Sequence, residues 1–367
     1  MMKGKICSIV GSLILFVPLH VLAVDSASYP FSDVPADSPL ALATSFLKEK
    51  NIIRGFSDGS YHPERLVTRA EALAMILNAT GSSKMNAKTD LAESLEAGTP
   101  FQISLPKETT VTLENMVTGE KKTLQDIDNL QIHVEDGSGK LKIMKKKTKK
   151  PFMDVSQSDW FFDMTNEARR LGIIKGVKTE NGVFFRPHDY VNLAEALRMI
   201  FQSAKISTAL SEEPLPPGVP ADAWYAKDMA QAMKMTILMQ QENGAIFPAA
   251  EKLHRGEMAV LLYRFMKSQQ DGAMFGYASW YGDGLAKTKL KTGIEYAERH
   301  LTAAHKTLPI GSIMRVTNVV NGKQVDVVIN DRGPYVTGRI IDLSRSAFSA
   351  LEDPGTGVIA VQLETME

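Results

Sequence analysis

A chain of 367 residues is long enough for several domains, each with a core of its own. Lys plus Arg and Asp plus Glu both total 42, so no net charge draws the protein to nucleic acid or to an anionic lipid surface. Cys7 is the one cysteine, which excludes a disulfide framework and a multi-cysteine metal site.

The first segment, "MMKGKICSIVGSLILFVPLHVLAVDSA", places Lys3 and Lys5 ahead of an apolar stretch from Ile6 to Val17 and closes on Val21-Leu22-Ala23. That pattern predicts a secretory signal peptide over 1–23, cleaved after Ala23. The apolar core is too short for a membrane span, and no other apolar run follows. Cys7 lies inside it, so the mature, exported chain is expected to carry no thiol.

An internal repeat comes next. Residues 31–80 and 151–204 each read Phe-x-Asp-Val, a helix ending in Ile-Ile-x-Gly, a turn, an aromatic stretch ending in x-Pro, and a second helix. The spacing from Val34 to Gly55 equals that from Val155 to Gly176. In the second helices Leu73, Ile76 and Leu77 align with Leu197, Ile200 and Phe201, an i, i+3, i+4 core stripe. Thr68 with Glu71 predicts a capping box. A weaker third copy spans 221–267.

Between the first two copies, residues 81–150 show strand-like alternation in "TPFQISLP", "VTLEN" and "LQIHVEDGSGKLKIM", with Asp-Gly turn chemistry. This predicts a small β element running into a Lys-rich linker, "KIMKKKTKK". Residues 205–220 form a second, Pro-rich linker. From Phe275 the texture changes to short alternating strands separated by Asn-Gly, Arg-Gly-Pro and Pro-Gly-Thr-Gly turns, with one short helix capped by Ser344. An all-β barrel over 275–367 is expected.

The repeats resemble the S-layer homology module through Thr68-Arg69-Ala70-Glu71 and the turn before x-Pro. That resemblance implies a three-module helical bundle binding a secondary cell-wall polysaccharide. It makes Arg69 and Arg255 the glycan-contacting arginines, with Trp160 and Trp224 as the first-helix tryptophans. Leu193 replaces the arginine in copy two, and Pro39 replaces the tryptophan in copy one. A planar guanidinium suits the clasping of acidic groups on a wall polymer.

The C-terminal segment, with "GYASWYGDG" and "LTAAHKTLPIGSIMRVTNVVNGKQVDVVINDRGPYVTGRIIDLSRSAF", is similar to the rare lipoprotein A family. The resemblance implies a six-stranded double-psi β-barrel related to those of expansins. The implied activity is endolytic lytic transglycosylation of peptide-poor peptidoglycan strands, leaving 1,6-anhydro-muramic ends. Family members place a glutamate eleven residues before the histidine of Ala-Ala-His and an aspartate in Asn-Asp-Arg-Gly-Pro. His305 and Asp331 match as catalytic residues, and Asp342 matches the essential aspartate of the expansin-like relatives. The glutamate position holds Ile294, with Glu295 one place on as the stand-in acid. Arg332, Trp280 and Tyr281 are the substrate-binding candidates; for the two aromatics, barrel packing is the alternative.

The expected protein is therefore multidomain, exported and held at the cell wall or S-layer. It has an α-helical three-module bundle with a small β insert, followed by the barrel, and it needs no cofactor or metal. His300 and His305 are five apart and match no zinc spacing. No basic stripe with interleaved aromatics suggests nucleic acid. Two alternatives stand beside the enzyme. One is a non-catalytic glycan-binding protein, given Ile294; the other is a structural S-layer component with the barrel as spacer.

Overall fold

A computed structural model describes residues 30–82, 152–208, 215–243, 245–281 and 300–366, together with the backbone of strands between 101 and 145. The signal segment, Ile294, Glu295 and the first stretch of the Pro-rich linker's charged residues at 211–214 lie outside the described residues. No described helix is long and apolar enough to cross a membrane.

Each repeat supplies two helices. They are α1 (Pro39–Glu49) and α2 (Arg69–Ala79), α3 (Phe162–Arg170) and α4 (Leu193–Ser203), then α5 (Ala226–Lys234) and α6 (Arg255–Gln270). The expected capping box forms: Glu71 N donates to Thr68 Oγ1 at 3.4 Å, and Thr68 N donates to Glu71 Oε2 at 3.0 Å. Asn192 and Glu195 repeat it at α4.

The Phe-x-Asp-Val signature acquires a physical meaning. Asp33 accepts from the N–H groups of Tyr61 and His62, and Asp154 from those of Phe185 and Arg186, each at 2.6–2.8 Å. The phenylalanine of the same signature presses on the glycine of Ile-Ile-x-Gly. A β-carbon at Gly55 would lie 2.4 Å from the Phe31 ring, and one at Gly176 the same distance from Phe152. The aromatic stretch is a two-stranded hairpin in copy two, β6 (Val177–Thr179) with β7 (Gly182–Phe184), after the five insert strands described below. Copy one has only a turn there, closed by Phe56 N donating to Ser60 O.

Backbone hydrogen bonds close the modules into a ring, and three of them run in a cycle. Val67 N donates to Leu253 O at 2.9 Å, Leu253 N to Val191 O at 3.0 Å, and Val191 N to Val67 O at 3.0 Å. The second-helix arginines reinforce this ring. Arg69 Nε donates to Phe185 O at 3.0 Å in module two, and its Nη1 to Glu195 at 2.8 Å. Arg255 Nε donates to Tyr61 O at 2.9 Å in module one, with its guanidinium 4.6 Å above the Tyr61 ring. At the third joint Leu193 takes the arginine's place, buried, with its N–H donating to Glu251 O. An apolar side chain there leaves no guanidinium to satisfy.

In the insert, β1 (Phe101–Ile103), β4 (Leu130–Glu135) and β5 (Lys140–Lys145) form one sheet in the order β1-β4-β5. A further pair, β2 (Val111–Glu114) with β3 (Lys121–Leu124), is separate. The strands lie where alternation predicted them, and β3 adds one that alternation did not.

The C-terminal segment is a closed six-stranded barrel in the order β10-β11-β9-β12-β8-β13. Its strands are β8 (Met274–Tyr281), β9 (Thr302–His305), β10 (Ile313–Asn318), β11 (Gln324–Asp331), β12 (Arg339–Ser344) and β13 (Ile359–Thr365). Two parallel pairings, β11 with β9 and β12 with β8, sit within otherwise antiparallel neighbours, as a double-psi barrel requires. Helix α7 (Arg345–Leu351) is capped as expected, with Ala347 N donating to Ser344 Oγ at 3.3 Å. Ala278, Ala303, Ile329, Ile341 and Leu343 belong to the barrel core.

Arg255 is 8% exposed and spends its donors on the carbonyls of another module. Arg255→Ala is therefore expected to destabilise the bundle by about 3 kcal/mol, since two carbonyls lose a charged donor and a cavity remains. Arg255→Lys should recover less than half of that, because an ammonium cannot both stack on Tyr61 and bridge two carbonyls. Urea unfolding of the two variants measures both values.

Candidate active site

Strand β9 is hydrogen-bonded on both sides, and its register assembles the site. Ala304 pairs with Asp331 of β11 on one side and with Asp342 of β12 on the other; Asp342 in turn pairs with Ser279 of β8. Register neighbours share a face, so Asp331, Ala304, Asp342 and Ser279 form a row across four strands. Ala303, one residue earlier, points into the core with Ile329 and Leu343, so the row lies on the outer face. With strands about 4.8 Å apart, the two aspartate backbones stand roughly 10 Å from each other, with Ala304 on the strand between them.

A bulge makes this row possible. The β11–β9 register shifts between Ile329 and Asp331, so Asp331 rather than Asn330 comes opposite Ala304. An unbulged strand would have turned Asp331 to the inner face. Asn330, the extra residue, carries a buried side-chain oxygen with no hydrogen-bond partner, one of three such atoms among the described residues.

The two carboxylates differ in environment. Asp331 accepts from Arg332 N at 2.8 Å through Oδ1. Asp342 receives a hydrogen bond from Ser279 Oγ on Oδ1, and the loop after Asp331 crosses above it. A β-carbon at Gly333 would lie 3.9 Å from Asp342 Oδ2 and from Ala304 Cβ. Burial pushes the Asp342 carboxyl above the usual aspartate value, against the opposing effects of the Ser279 hydrogen bond and the Arg339 charge.

His305 is buried, and its Nδ1 accepts from the N–H groups of both Thr307 (3.2 Å) and Leu308 (3.0 Å). An Nδ1 that accepts cannot carry the proton, so the ring is the Nε2–H tautomer and acts as a neutral donor. Burial, aided by the charges of Lys306 and Arg332, lowers its pKa to about 4. Arg332 Nη1 reaches His305 O at 3.5 Å, tying the Asp-Arg-Gly-Pro loop to β9.

The aromatic candidates separate. Tyr281 shares the outer face with Ser279, two residues along β8 from it, and its hydroxyl meets Thr302 Oγ1 at 3.3 Å, beside the carboxylate row. Trp280 turns the other way. It packs against the core, donates to Pro354 O at 3.0 Å and lies under the Arg345 guanidinium, so it serves barrel packing rather than a sugar platform. In the bundle, Trp160 and Trp224 are exposed, at 63% and 55%. Arg69 and Arg255 are instead drawn into the inter-module joints, because their planar donors satisfy carbonyls that the ring closure leaves buried. No cluster of metal-ligating side chains occurs among the described residues.

Residues 273–363 match the family model described as lytic transglycolase, and residues 30–73 match that of the S-layer homology domain. The first repeat is thus similar to S-layer homology sequence, and the barrel to rare-lipoprotein-A-type domains. It is 50% identical over 91 residues to an endolytic peptidoglycan transglycosylase RlpA of Campylobacter jejuni, covering 25% of this chain and 33% of that protein. A protein of the same name from Neisseria meningitidis is 42% identical over 134 residues, covering 35% of this chain and 56% of that one. The chain thus spans about a third to a half of the length of these relatives. A solved expansin from Clavibacter michiganensis aligns with 26% of this chain and 50% of its own, at 24% identity and a TM-score of 0.23.

His305 supplies a signed pH prediction. Its folded pKa of about 4 lies below the ordinary 6.5, so the unfolded chain binds more protons between those values, and stability falls as pH drops from 6.5 towards 4. At about 1.4 kcal/mol per pH unit this comes to roughly 3 kcal/mol. In His305→Gln that component of the loss should vanish, which denaturation midpoints across pH 4–7 will read as a flatter profile.

Proposed function

We propose that the barrel cleaves peptide-poor peptidoglycan glycan strands as an endolytic lytic transglycosylase, and that the helical modules hold it against the wall. The observation that carries this reading is the outward row of Asp331, Ala304, Asp342 and Ser279. Two carboxyl groups of unlike environment stand on either side of Ala304, beside the loop that carries Gly333. Separated acid and base roles call for that arrangement.

The chemistry follows from these groups. The desolvated Asp342 carboxyl gives its proton to the glycosidic oxygen as the C1–O bond breaks, and Ser279 holds its other oxygen in place. The muramic C6 hydroxyl attacks C1 in place of water and passes its proton to Asp331, closing the 1,6-anhydro ring. Water is not consumed, and the two carboxyls exchange protons with solvent to reset. His305 contributes a neutral Nε2–H donor rather than a base, since both backbone N–H bonds occupy Nδ1. Tyr281 lies on the same face, placed to meet a neighbouring sugar.

On this reading Asp342, not a glutamate, is the proton donor, because the family's glutamate position is occupied by Ile294. The same substitution favours a second reading, a barrel that binds glycan and does not cut it. For anchoring, the exposed Trp160 and Trp224 offer flat faces to wall sugars, with Arg198 stacked 5.0 Å over Trp224. Attachment to a wall polysaccharide raises the effective concentration of the barrel at its substrate.

Full-length protein incubated with peptide-free glycan strands is expected to release products ending in anhydro-muramic residues, lighter by one water in mass spectra. Asp342→Asn and Asp331→Asn should each cost about 100-fold or more in rate. Strands left intact by wild-type protein that nonetheless binds them would establish the binding-only reading.

A further inference from the structure

The barrel is docked on the bundle through contacts on β8, β12 and β13. Helix α6 ends at Gln270 and β8 begins at Met274, so three residues separate the bundle from the barrel. Along this junction Tyr263 Oη donates to Gln362 Oε1 at 2.5 Å, Lys267 pairs with Glu364 at 2.7 Å, and Phe275 N donates to Thr236 Oγ1 at 2.9 Å. Tyr263, Phe275, Ala273 and Ala43 form a small buried cluster that spans both domains.

A second contact reaches the catalytic edge. The module-three loop after α5 lays the Gln240 carbonyl against Gly338, where a β-carbon would lie only 2.3 Å from that oxygen and φ is +80°. Only glycine meets both conditions. One residue on, Arg339 donates through Nε to Glu242 Oε1 at 2.6 Å. Arg339 opens β12, three residues before Asp342, and its charge opposes the retention of the Asp342 proton.

We propose that Glu242, a residue of the wall-binding bundle, is a positioning residue for the barrel's chemistry: by engaging Arg339 it sets how strongly that guanidinium acts on Asp342. The proposal rests on Asp342 being the proton donor. Among the described residues, the other groups around Asp342 belong to the barrel: Ser279 from β8, Asp331 from β11 across Ala304, His305 from β9, and Arg332 in the loop between β11 and β12. Among the described residues, Glu242 is the bundle's charged contact with β12, and a barrel without these modules lacks it.

The sign is fixed by charge. Glu242→Gln leaves Arg339 uncompensated, which favours ionised Asp342, so the donor loses its proton at a lower pH. Arg339→Gln removes the cation altogether and favours the protonated form. With Glu242 and Arg339 at 45% and 24% side-chain exposure, solvent screening keeps each effect modest.

The test is the pH dependence of kcat/KM on peptide-free glycan strands for the full chain. Glu242→Gln should move the alkaline limb down by about 0.3 pH units and Arg339→Gln up by about 0.5, on the scale of half-exposed ion pairs. The double variant should coincide with Arg339→Gln. Circular dichroism on each variant checks that the fold is retained. Limbs that stay put, or two single variants that merely lose rate at every pH, would overturn the proposal and leave a simple docking contact. Wild-type activity in Asp342→Asn would instead overturn the reading of Asp342 as donor.

Discussion

The candidate site depends on the backbone pairing of a four-residue strand, Thr302–His305. It runs parallel to β11 and antiparallel to β12, so it fixes the registers of both strands that carry an aspartate. Its residues are small for a reason. Ala303 fits the closed core, and Ala304, also buried, lies between the two strands that carry the carboxyl groups, under the loop that holds Gly333. At the end of the strand, His305 turns its Nδ1 to the following backbone, which locks the ring and ties β9 to the loop after it.

The bundle is organised by a different constraint, the closure of three similar modules into a ring. Three backbone hydrogen bonds at each joint, among them the cycle of Val67, Leu253 and Val191, set the pseudo-threefold arrangement. Arg69 and Arg255 then reach across two of the joints, and Leu193 fills the third. The ring has a consequence for the barrel. Because helix α6 belongs to the closing module and runs directly into β8, the barrel inherits a fixed orientation, and the module-three loop comes to rest on Gly338 and Arg339.

Much of this was legible in the sequence. The repeat spacing located the helix pairs, Thr68 and Glu71 announced their capping box, and Asn321-Gly322 marked the β10–β11 hairpin. Short motifs named Asp331, His305 and Asp342, and the structure gathers all three around β9. Other features were not legible, for identifiable reasons. A bulge adds one residue without a composition signal, so the turning of Asp331 to the outer face could not be read from alternation. The direction of Trp280 depends on strand register, which only the closed barrel defines. Arg69 and Arg255 carry the donors that a wall polymer would want, but the same donors satisfy carbonyls of neighbouring modules, contacts more than one hundred residues apart in sequence. The Glu242–Arg339 contact joins two domains, and neither residue stands out in its own segment.

The central claim is that Asp342 holds a proton that an ordinary aspartate would have lost, and the most direct measurement is its own titration. Protein labelled with ¹³C at aspartate side chains, with the Asp342 resonance assigned by its loss in Asp342→Asn, reports the carboxyl through its chemical shift across pH. The account predicts a midpoint above the ordinary 3.8. A midpoint at or below 3.8 would contradict it, since a carboxyl already ionised under working conditions cannot protonate the leaving oxygen.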